Sequence, residues 1–487
     1  MRLGDILVAH GLVTQSDVAD AMDQQRLQGG RLGDILVAGG KLSAAQLDAV
    51  MDEAPSVPNT IEETGLALPD LMNLAMKAMY AANAETPSAV ADILKLPNRI
   101  VQLLFEQAKD RKLLEVLGAA GLRVSSELRF ALTEKGKQWA ADALNQNQYV
   151  GPAPVPLSEF TERIERQRIT NERVDRETIV TAFSDLIVSD TFISQVGPAI
   201  NSGQSILLYG PSGNGKTSFA ERIGRVFRSV VYVPYCFEVE GQIIKVFDPG
   251  IHEPIHKNAE AGGRTLALRR EDFDRRWVAC KRPFIVAGGE LTLEMLDLSF
   301  NQLAKFYEAP LHVKALGGIF MIDDFGRQIV SPEALLNRWI VPLERRVDYL
   351  KLHTGKSFSL PFDELVIFST NLTPRKLMDP AFLRRIPYKL EIPAPSGDEF
   401  RQIFHGISKS RGLETSDQVV NAVVAAIQQL DGTALASYQP KFIVDQVLSA
   451  CKFENIPPRF RPDLIAMALG NLSTENAAAE QGSAPTN

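Results

Sequence analysis

Cysteine is scarce. Cys236, Cys280 and Cys451 are the only three in 487 residues, odd in number and far apart. That pattern excludes a disulfide framework and implies reduced thiols in a cytoplasmic protein. No apolar run approaches the roughly 20 residues that a membrane-spanning helix needs. An excess of positive charge is also lacking. Lys and Arg number 52 against 59 Asp and Glu, a net charge of −7, so there is no global bias toward nucleic acid or anionic membranes. Histidine is rare, at six. His252 and His256 have the spacing of a metal pair, but Pro254 between them denies the helical geometry, and no Cys or further His lies near. The N-terminus carries one Arg and an early Asp5, which makes a poor signal peptide. What remains is 45% hydrophobic and 23% charged, with length for about three domains.

The densest chemical signal is Ser205–Ala220, SILLYGPSGNGKTSFA. Ile206–Tyr209 reads as a buried parallel strand. The loop Gly210, Pro211, Ser212, Gly213, Asn214, Gly215 follows, and Lys216, Thr217 and Ser218 open a helical pattern. This is G-x-x-x-x-G-K-[ST] in its strand-to-helix setting. Glycines let backbone N–H groups curl around phosphates, and the helix N-terminus adds partial positive charge. Lys216 is placed to reach the β- and γ-phosphates of ATP, and the Thr217 hydroxyl to ligate Mg²⁺.

Further along, Gly317–Phe325 is an apolar strand ending in Asp323 and Asp324. Asp323 suits a Mg²⁺ contact, and Asp324 stands where a carboxylate would polarise the attacking water. Val366–Asn371 is a third apolar strand, whose Asn371 could orient that water. Arg384 and Arg385 follow. These elements in this order resemble an AAA+ ATPase: Walker A, Walker B, sensor 1 and arginine finger. The resemblance implies a ring oligomer, a hexamer, in which Arg385, or else Arg384, reaches the neighbour's nucleotide. It also implies a helical lid, whose sensor 2 position is taken by Lys441.

The first 53 residues contain a repeat. RLGDILVAHGL starts at Arg2 and RLGDILVAGGK at Arg31. Each copy reads as helix, Gly turn (Gly11, Gly40), cap (Thr14, Ser43) and helix. The pattern resembles the MshEN-type module of secretion and pilus ATPases, many of which bind cyclic di-GMP. The resemblance assigns that ligand to Arg2, Leu3, Gly4, Leu7 and Gln25, and to Arg31, Leu32, Gly33 and Leu36. A helical docking module whose Leu and Gly residues only pack is the alternative. Lys41 departs from the pattern at an apolar position.

From Leu68 the pattern is helical, then strand, turn, strand and a capped helix, and Arg129–Gly136 resembles the wing of a winged-helix domain. Acidic and basic residues balance over Leu68–Leu144, which favours protein docking over DNA. Asn145–Pro156 reads as linker, and the charged run FTERIERQRITNERVDRET as a solvated helix. Val230–Val239 is β-rich and leads to a hairpin at GQIIKVFDP, and GGRTLALRREDFDRRW reads as a second solvated helix.

The expected architecture is multidomain. It comprises an all-α repeat module (1–55), a winged-helix domain (67–148), an α/β P-loop core (176–394), a helical lid (395–470) and a disordered tail (471–487). The expected function is ATP hydrolysis that remodels or drives a protein partner, linked to pilus, secretion or exopolysaccharide systems. The alternative is a slow ATP switch acting on transcription through the winged helix.

Overall fold

The turns and caps of the two N-terminal repeats are built alike. A computed structural model describes residues 4, 7–8, 11–28, 32–43, 46, 54–119, 127–255, 273–377, 383–429 and 434–481. In the first copy the Leu12 N–H donates to the Leu7 carbonyl at 3.0 Å, and in the second the Lys41 N–H donates to Leu36 at 3.0 Å. Helix α1 (Gln15–Gln28) follows the first turn. Thr14 caps it, its hydroxyl accepting the Asp17 N–H at 3.2 Å while Asp17 accepts the Thr14 N–H at 3.0 Å. Ser43 and Gln46 repeat the exchange at 3.2 and 2.9 Å, reciprocal caps that satisfy two orphan donors each. Helix α2 (Leu32–Ala38) leads into the second turn.

Three helices come next: α3 (Leu68–Ala82), α4 (Pro87–Leu94) and α5 (Asn98–Asp110). An antiparallel pair, β1 (Leu114–Ala119) and β2 (Leu128–Leu132), leads to α6 (Glu134–Gln146). Thr86 and Thr133 cap α4 and α6, accepting from Ala89 and Gly136. Leu71, Ala75, Met79, Val101, Leu104 and Phe105 close one core, with Phe130 edge-on to Phe105 at 5.1 Å.

The stretch expected to be a linker, Asn145–Pro156, is packed. Ala153 and Val155 are fully buried, and Tyr149 donates to the Pro152 carbonyl at 2.8 Å. Its apolar residues, not its prolines, decide its place. Strand β3 (Val155–Pro156) ends it and α7 (Leu157–Arg166) begins the charged run. That run is not wholly solvated either. Arg163 is 8% exposed, its guanidinium 5.6 Å from the Tyr232 ring centre and 5.9 Å from that of Trp277, the cation–π stacking that makes burial of an arginine tolerable.

The α/β core then runs α8 (Arg176–Ala182), α9 (Asp190–Ser202), β4 (Ile206–Tyr209) and α10 (Lys216–Val226). Strands β5 (Val231–Pro234), β6 (Cys236–Val239), β7 (Gln242–Lys245) and β8 (Trp277–Cys280) follow. After them come β9 (Phe284–Ala287), β10 (Ser299–Asn301), β11 (Phe306–Glu308) and β12 (Ile319–Ile322). Helix α11 (Pro332–Arg345), the hairpin β13 (Val347–Lys351) and β14 (Ser357–Pro361), β15 (Leu365–Thr370) and β16 (Tyr388–Glu391) complete it.

Five of these strands form a parallel sheet in the order β16-β4-β15-β12-β9. Its side chains alternate between two covered faces. Ile206, Leu208, Met321 and Ile367 pack with Ile193, Ala220 and Ile223 on one side. Leu207, Phe320, Ile322 and Phe368 pack with Leu335, Leu336 and Trp339 on the other. Two buried faces explain the unbroken apolar runs in the sequence.

A second sheet, β10-β11-β7-β6-β3, was not legible as a unit. The hairpin is there, but its first strand is Cys236–Val239 and its turn is Glu240-Gly241. In the second run expected to be solvated, residues 262–272 lie outside the described residues. Its end is buried: Asp274 and Arg276 are each 1% exposed and pair at 2.8 Å, and Arg276 also donates to the Thr64 and Pro154 carbonyls. A buried arginine needs all its donors met, and here they stitch three distant segments together.

Helices α12 (Gly397–Ser410), α13 (Asp417–Gln429), α14 (Gln439–Phe453) and α15 (Pro462–Gln481), the segment expected to be a lid, pack around Phe400, Phe404, Ile443 and Val447. The tail expected to be disordered from residue 471 is helical through Gln481, as its Ala and Glu content favours. Among the described residues no helix is long and apolar enough to cross a membrane.

Candidate active site

Three neighbouring strands of the parallel sheet end together. The Thr370–Tyr209 and Ile322–Phe368 register places Gly210, Asp323 and Asn371 at one edge. The Gly210 N–H donates to the Thr370 carbonyl at 3.3 Å. Crevices at the carboxyl ends of parallel strands are where such folds bind ligands.

The loop between β4 and α10 wraps the Lys216 side chain. Lys216 is 7% exposed, and its Nζ donates to the Gly210 and Pro211 carbonyls at 3.0 Å each. Burial pushes the ammonium below the usual lysine range, against the opposing pull of Asp324 and Asp323. Anionic oxygens reaching this loop would be stronger acceptors than the two carbonyls. The Thr217 hydroxyl donates to Asp323 Oδ2 at 2.8 Å.

A hydroxyl and a carboxylate in contact are hard oxygen donors. Among the described residues no group of three or more His, Cys, Asp or Glu could hold a metal. Thr217 and Asp323 offer two such oxygens, and Mg²⁺ binds through one or two protein oxygens and substrate phosphates rather than in an all-protein cage. The residues present therefore fit it.

Asp324 is exposed and sits at φ +49°, with its N–H donating to Asp323 Oδ1 at 3.0 Å. The turn is pinned from both sides. The Phe325 N–H donates to the Ser369 carbonyl at 2.6 Å, and the Thr370 hydroxyl donates to the Phe325 carbonyl at 2.9 Å. Gln328, which sequence reasoning missed, donates from Nε2 to the Asp323 carbonyl at 2.6 Å. Asn371 follows directly on β15 and is half-buried.

Arg384 and Arg385 are not brought to this edge. Arg385 pairs with Glu344 at 2.6 Å, and its carbonyl accepts the Ser205 hydroxyl at 3.0 Å. Arg384 is exposed, and both line a surface pocket with Gln204, Ser205, Glu344 and Arg346. Lys441 is exposed in the first turn of α14. The residues of the C-terminal helical unit that touch the loop 210–217 are instead Ser437 and Tyr438, and the Tyr438 N–H donates to the Gly213 carbonyl at 2.9 Å.

His252, whose spacing from His256 looks like a metal pair that Pro254 argues against, is engaged by backbone groups instead. Its Nδ1 accepts the Asp248 N–H at 2.9 Å and its Nε2 faces the Lys314 carbonyl at 2.9 Å, so both ring nitrogens are used and Nε2 carries the proton. Burial holds this imidazole below the usual histidine range. His256 lies outside the described residues.

In the N-terminal module, Arg2, Leu3 and Arg31 lie outside the described residues. Leu7 and Leu36 are 0% and 1% exposed, so both are committed to packing rather than offered to a ligand. Gly4 is also explained by packing: a Cβ there would lie 2.5 Å from Val18 Cγ1. Leu32 is half-buried, Gly33 is buried and Gln25 is half-buried. Lys41 pairs with Asp17 of the other repeat at 2.8 Å.

A family model described only as a domain of unknown function, DUF8689, matches residues 396–471, the lid helices. A vesicle-fusing ATPase of Caenorhabditis elegans is 28% identical over 36% of this chain and 22% of its own length. The chain thus spans about a fifth of that relative. Among solved structures, NtrX from Brucella abortus aligns with TM-score 0.37 and 14% identity, over 60% of this chain and 56% of its own. A RuvB point mutant from Thermotoga maritima aligns at 0.32 and 13%, over 63% and 73%.

Proposed function

We propose that this chain is an AAA+ ATPase that hydrolyses ATP to remodel or drive a protein partner, working as a ring oligomer. The contact between Thr217 and Asp323 carries the reading. It joins the two halves of a phosphate and Mg²⁺ site from residues far apart in sequence.

In this mechanism the phosphates of ATP lie on the backbone N–H groups of the loop 210–217 at the start of α10. Lys216 exchanges its carbonyl acceptors for phosphate oxygens. Thr217 and Asp323 would hold Mg²⁺, which when bound neutralises charge developing on the β- and γ-oxygens. Asp324 accepts a proton from the attacking water or polarises it, and Asn371 orients that water from the next strand. Arg385 supplies positive charge to the nucleotide of an adjacent subunit.

The helices α3–α5 with the β1–β2 ladder support a winged-helix-like unit. Val116, Leu117 and Leu128 on that ladder are 44%, 51% and 48% exposed. Exposed apolar side chains there favour protein docking over DNA. Regulation by cyclic di-GMP, and with it a link to pilus, secretion or exopolysaccharide systems, would rest on Arg2 and Arg31, since Leu7 and Leu36 are committed to packing.

ATP turnover by the full chain tests the reading. Lys216→Ala should abolish tight ATP binding. Asp323→Ala should lower Mg²⁺-dependent turnover far more than nucleotide affinity. A folded Lys216→Ala protein with undiminished ATP affinity would overturn the proposal.

A further inference from the structure

Asn214 stands in the loop to which the ATPase reading gives the phosphates, yet it is 2% exposed. Its surroundings come from the lid. Asn214 Oδ1 accepts the Ser437 N–H at 3.1 Å, and the adjacent Gly213 carbonyl accepts the Tyr438 N–H at 2.9 Å. Two successive backbone donors of the lid thus grip two successive residues of the phosphate loop. The Ser437 donor also fixes which end of the Asn214 amide is the oxygen.

The Tyr438 ring completes the grip. A Cβ on Gly213 would lie 2.4 Å from Tyr438 Cδ1, and Gly213 has φ +77°. Only glycine gives both that backbone conformation and that close approach. The lid side is pre-organised. Gln439 is 1% exposed; its Oε1 accepts the Ala436 N–H at 2.9 Å and its Nε2 donates to Ala434 at 3.0 Å. This splints residues 434–438 just before α14.

One group is unmet. Asn214 Nδ2 is buried with no hydrogen-bond partner among the described residues. A buried donor without an acceptor is costly, and this loop is where phosphate oxygens would arrive.

We propose that Asn214 is a positioning residue that ties the lid to the phosphate loop through Ser437 and Tyr438. Nucleotide binding supplies the acceptor that Nδ2 lacks and tightens the grip on α14. Gly213 and Asn214 contribute a carbonyl and a side-chain oxygen to the clasp, which leaves the loop N–H donors free for phosphate. Lid position and ATP affinity are therefore coupled, and linkage makes the coupling reciprocal. This deepens the ATPase reading and rests on it.

The test is amide hydrogen exchange on the full chain, read at Ser437 and Tyr438, with and without ATP and Mg²⁺, beside measured ATP affinity. Without nucleotide, Asn214→Ala should speed exchange at these amides about tenfold, the loss of one hydrogen bond. Asn214→Asp keeps an acceptor for Ser437 and should keep the protection, but should weaken ATP binding by charge repulsion. In wild type, ATP should raise protection at both amides, and Asn214→Ala should remove that rise while raising KM about tenfold, more than it lowers kcat. Tyr438→Ala should reproduce the Asn214→Ala pattern. The proposal fails if Asn214→Ala leaves nucleotide-free exchange unchanged, or if exchange rises while ATP affinity stays put. A wild type that binds no ATP would instead sink the ATPase reading, and the nucleotide-free arm would still report on the clasp.

Discussion

Ser205 and Arg385 are joined by a hydrogen bond, hydroxyl to carbonyl, at 3.0 Å. Ser205 stands at the start of β4, and the phosphate loop opens at the other end with Gly210. Five residue steps along the strand separate them by about 16 Å. Arg385 therefore lies toward the opposite end of β4 from its own phosphate loop. Its guanidinium rests on Glu344 at 2.6 Å. Arg385→Ala should bind ATP normally and hydrolyse it slowly, by a factor of about 10³–10⁵ if it acts as arginine fingers do. Mixing it with Lys216→Ala should restore some turnover, because each variant supplies what the other lacks. Full activity in a monomer, measured by light scattering beside the ATPase assay, would contradict this.

Asp324 holds the left-handed conformation that Asp and Asn tolerate better than Glu. A longer carboxylate there is predicted to gain nothing. Asp324→Glu should lose about 1 kcal/mol of stability, the scale of left-handed backbone strain, without raising kcat. Asp324→Asn should stay folded, bind ATP and stall. Urea unfolding and steady-state turnover of the two variants check both statements. Faster turnover in Asp324→Glu would show that the backbone is not what selects Asp.

Asp363 lies at the lower edge of the same sheet, 4% exposed, accepting the Ile169 N–H at 3.0 Å. Burial pushes its carboxyl up to about 6 from 3.8, with Ile169, Arg346 and Arg282 opposing. Burial also holds neighbouring Glu364 well above the carboxylate range. Below about pH 4 both folded and unfolded chains are protonated at Asp363, so the group costs nothing. Between about pH 4 and 6 the unfolded chain ionises first, and stability falls as pH rises. Above about 6 the penalty is complete, on the order of 3 kcal/mol. Asp363→Asn keeps an acceptor for Ile169 and should be more stable than wild type at pH 7, but equal to it near pH 4. Urea midpoints at several pH values decide this, and parallel curves for the two proteins would refute it.

How much of this was legible beforehand depended on range. Lys216, Thr217 and Asp323 were readable because backbone geometry fixes a phosphate loop within eight residues and a strand tip within two. The alternation of Leu207 and Leu208 between two cores was readable as an apolar run. Arg276 was not. Its charge reads as solvated until Asp274 and the Thr64 and Pro154 carbonyls close around it from other parts of the chain. Asn145–Pro156 misled for the same reason: proline suggests linker, while burial of Ala153 and Val155 needs the second sheet to exist. Tyr438 carried no motif, and only the folded lid shows it against Gly213.

Lys41 breaks the repeat pattern at the position where the first copy has Leu12, and its partner explains the break. It pairs with Asp17, the residue that reciprocates the Thr14 cap of α1. That contact also holds the Asp17 carboxyl well below the usual range, with Thr14 adding to it. A lysine already engaged at the surface is a weak phosphate ligand, and surface ion pairs contribute little to stability. If cyclic di-GMP binds, Arg2 and Arg31 must carry it, each offering a forked pair of donors to a guanine edge or phosphate. Calorimetry on the full chain should then show one ligand per chain, spanning the two copies. Arg2→Ala/Arg31→Ala should weaken binding at least about tenfold, the loss of one charge-assisted contact, while Lys41→Leu should leave it within about twofold. A large loss in Lys41→Leu would mean that the lysine leaves Asp17 for the ligand. No heat from the wild-type chain at high micromolar ligand would leave the repeat module as a docking element, held together by Leu7, Leu36 and Val18.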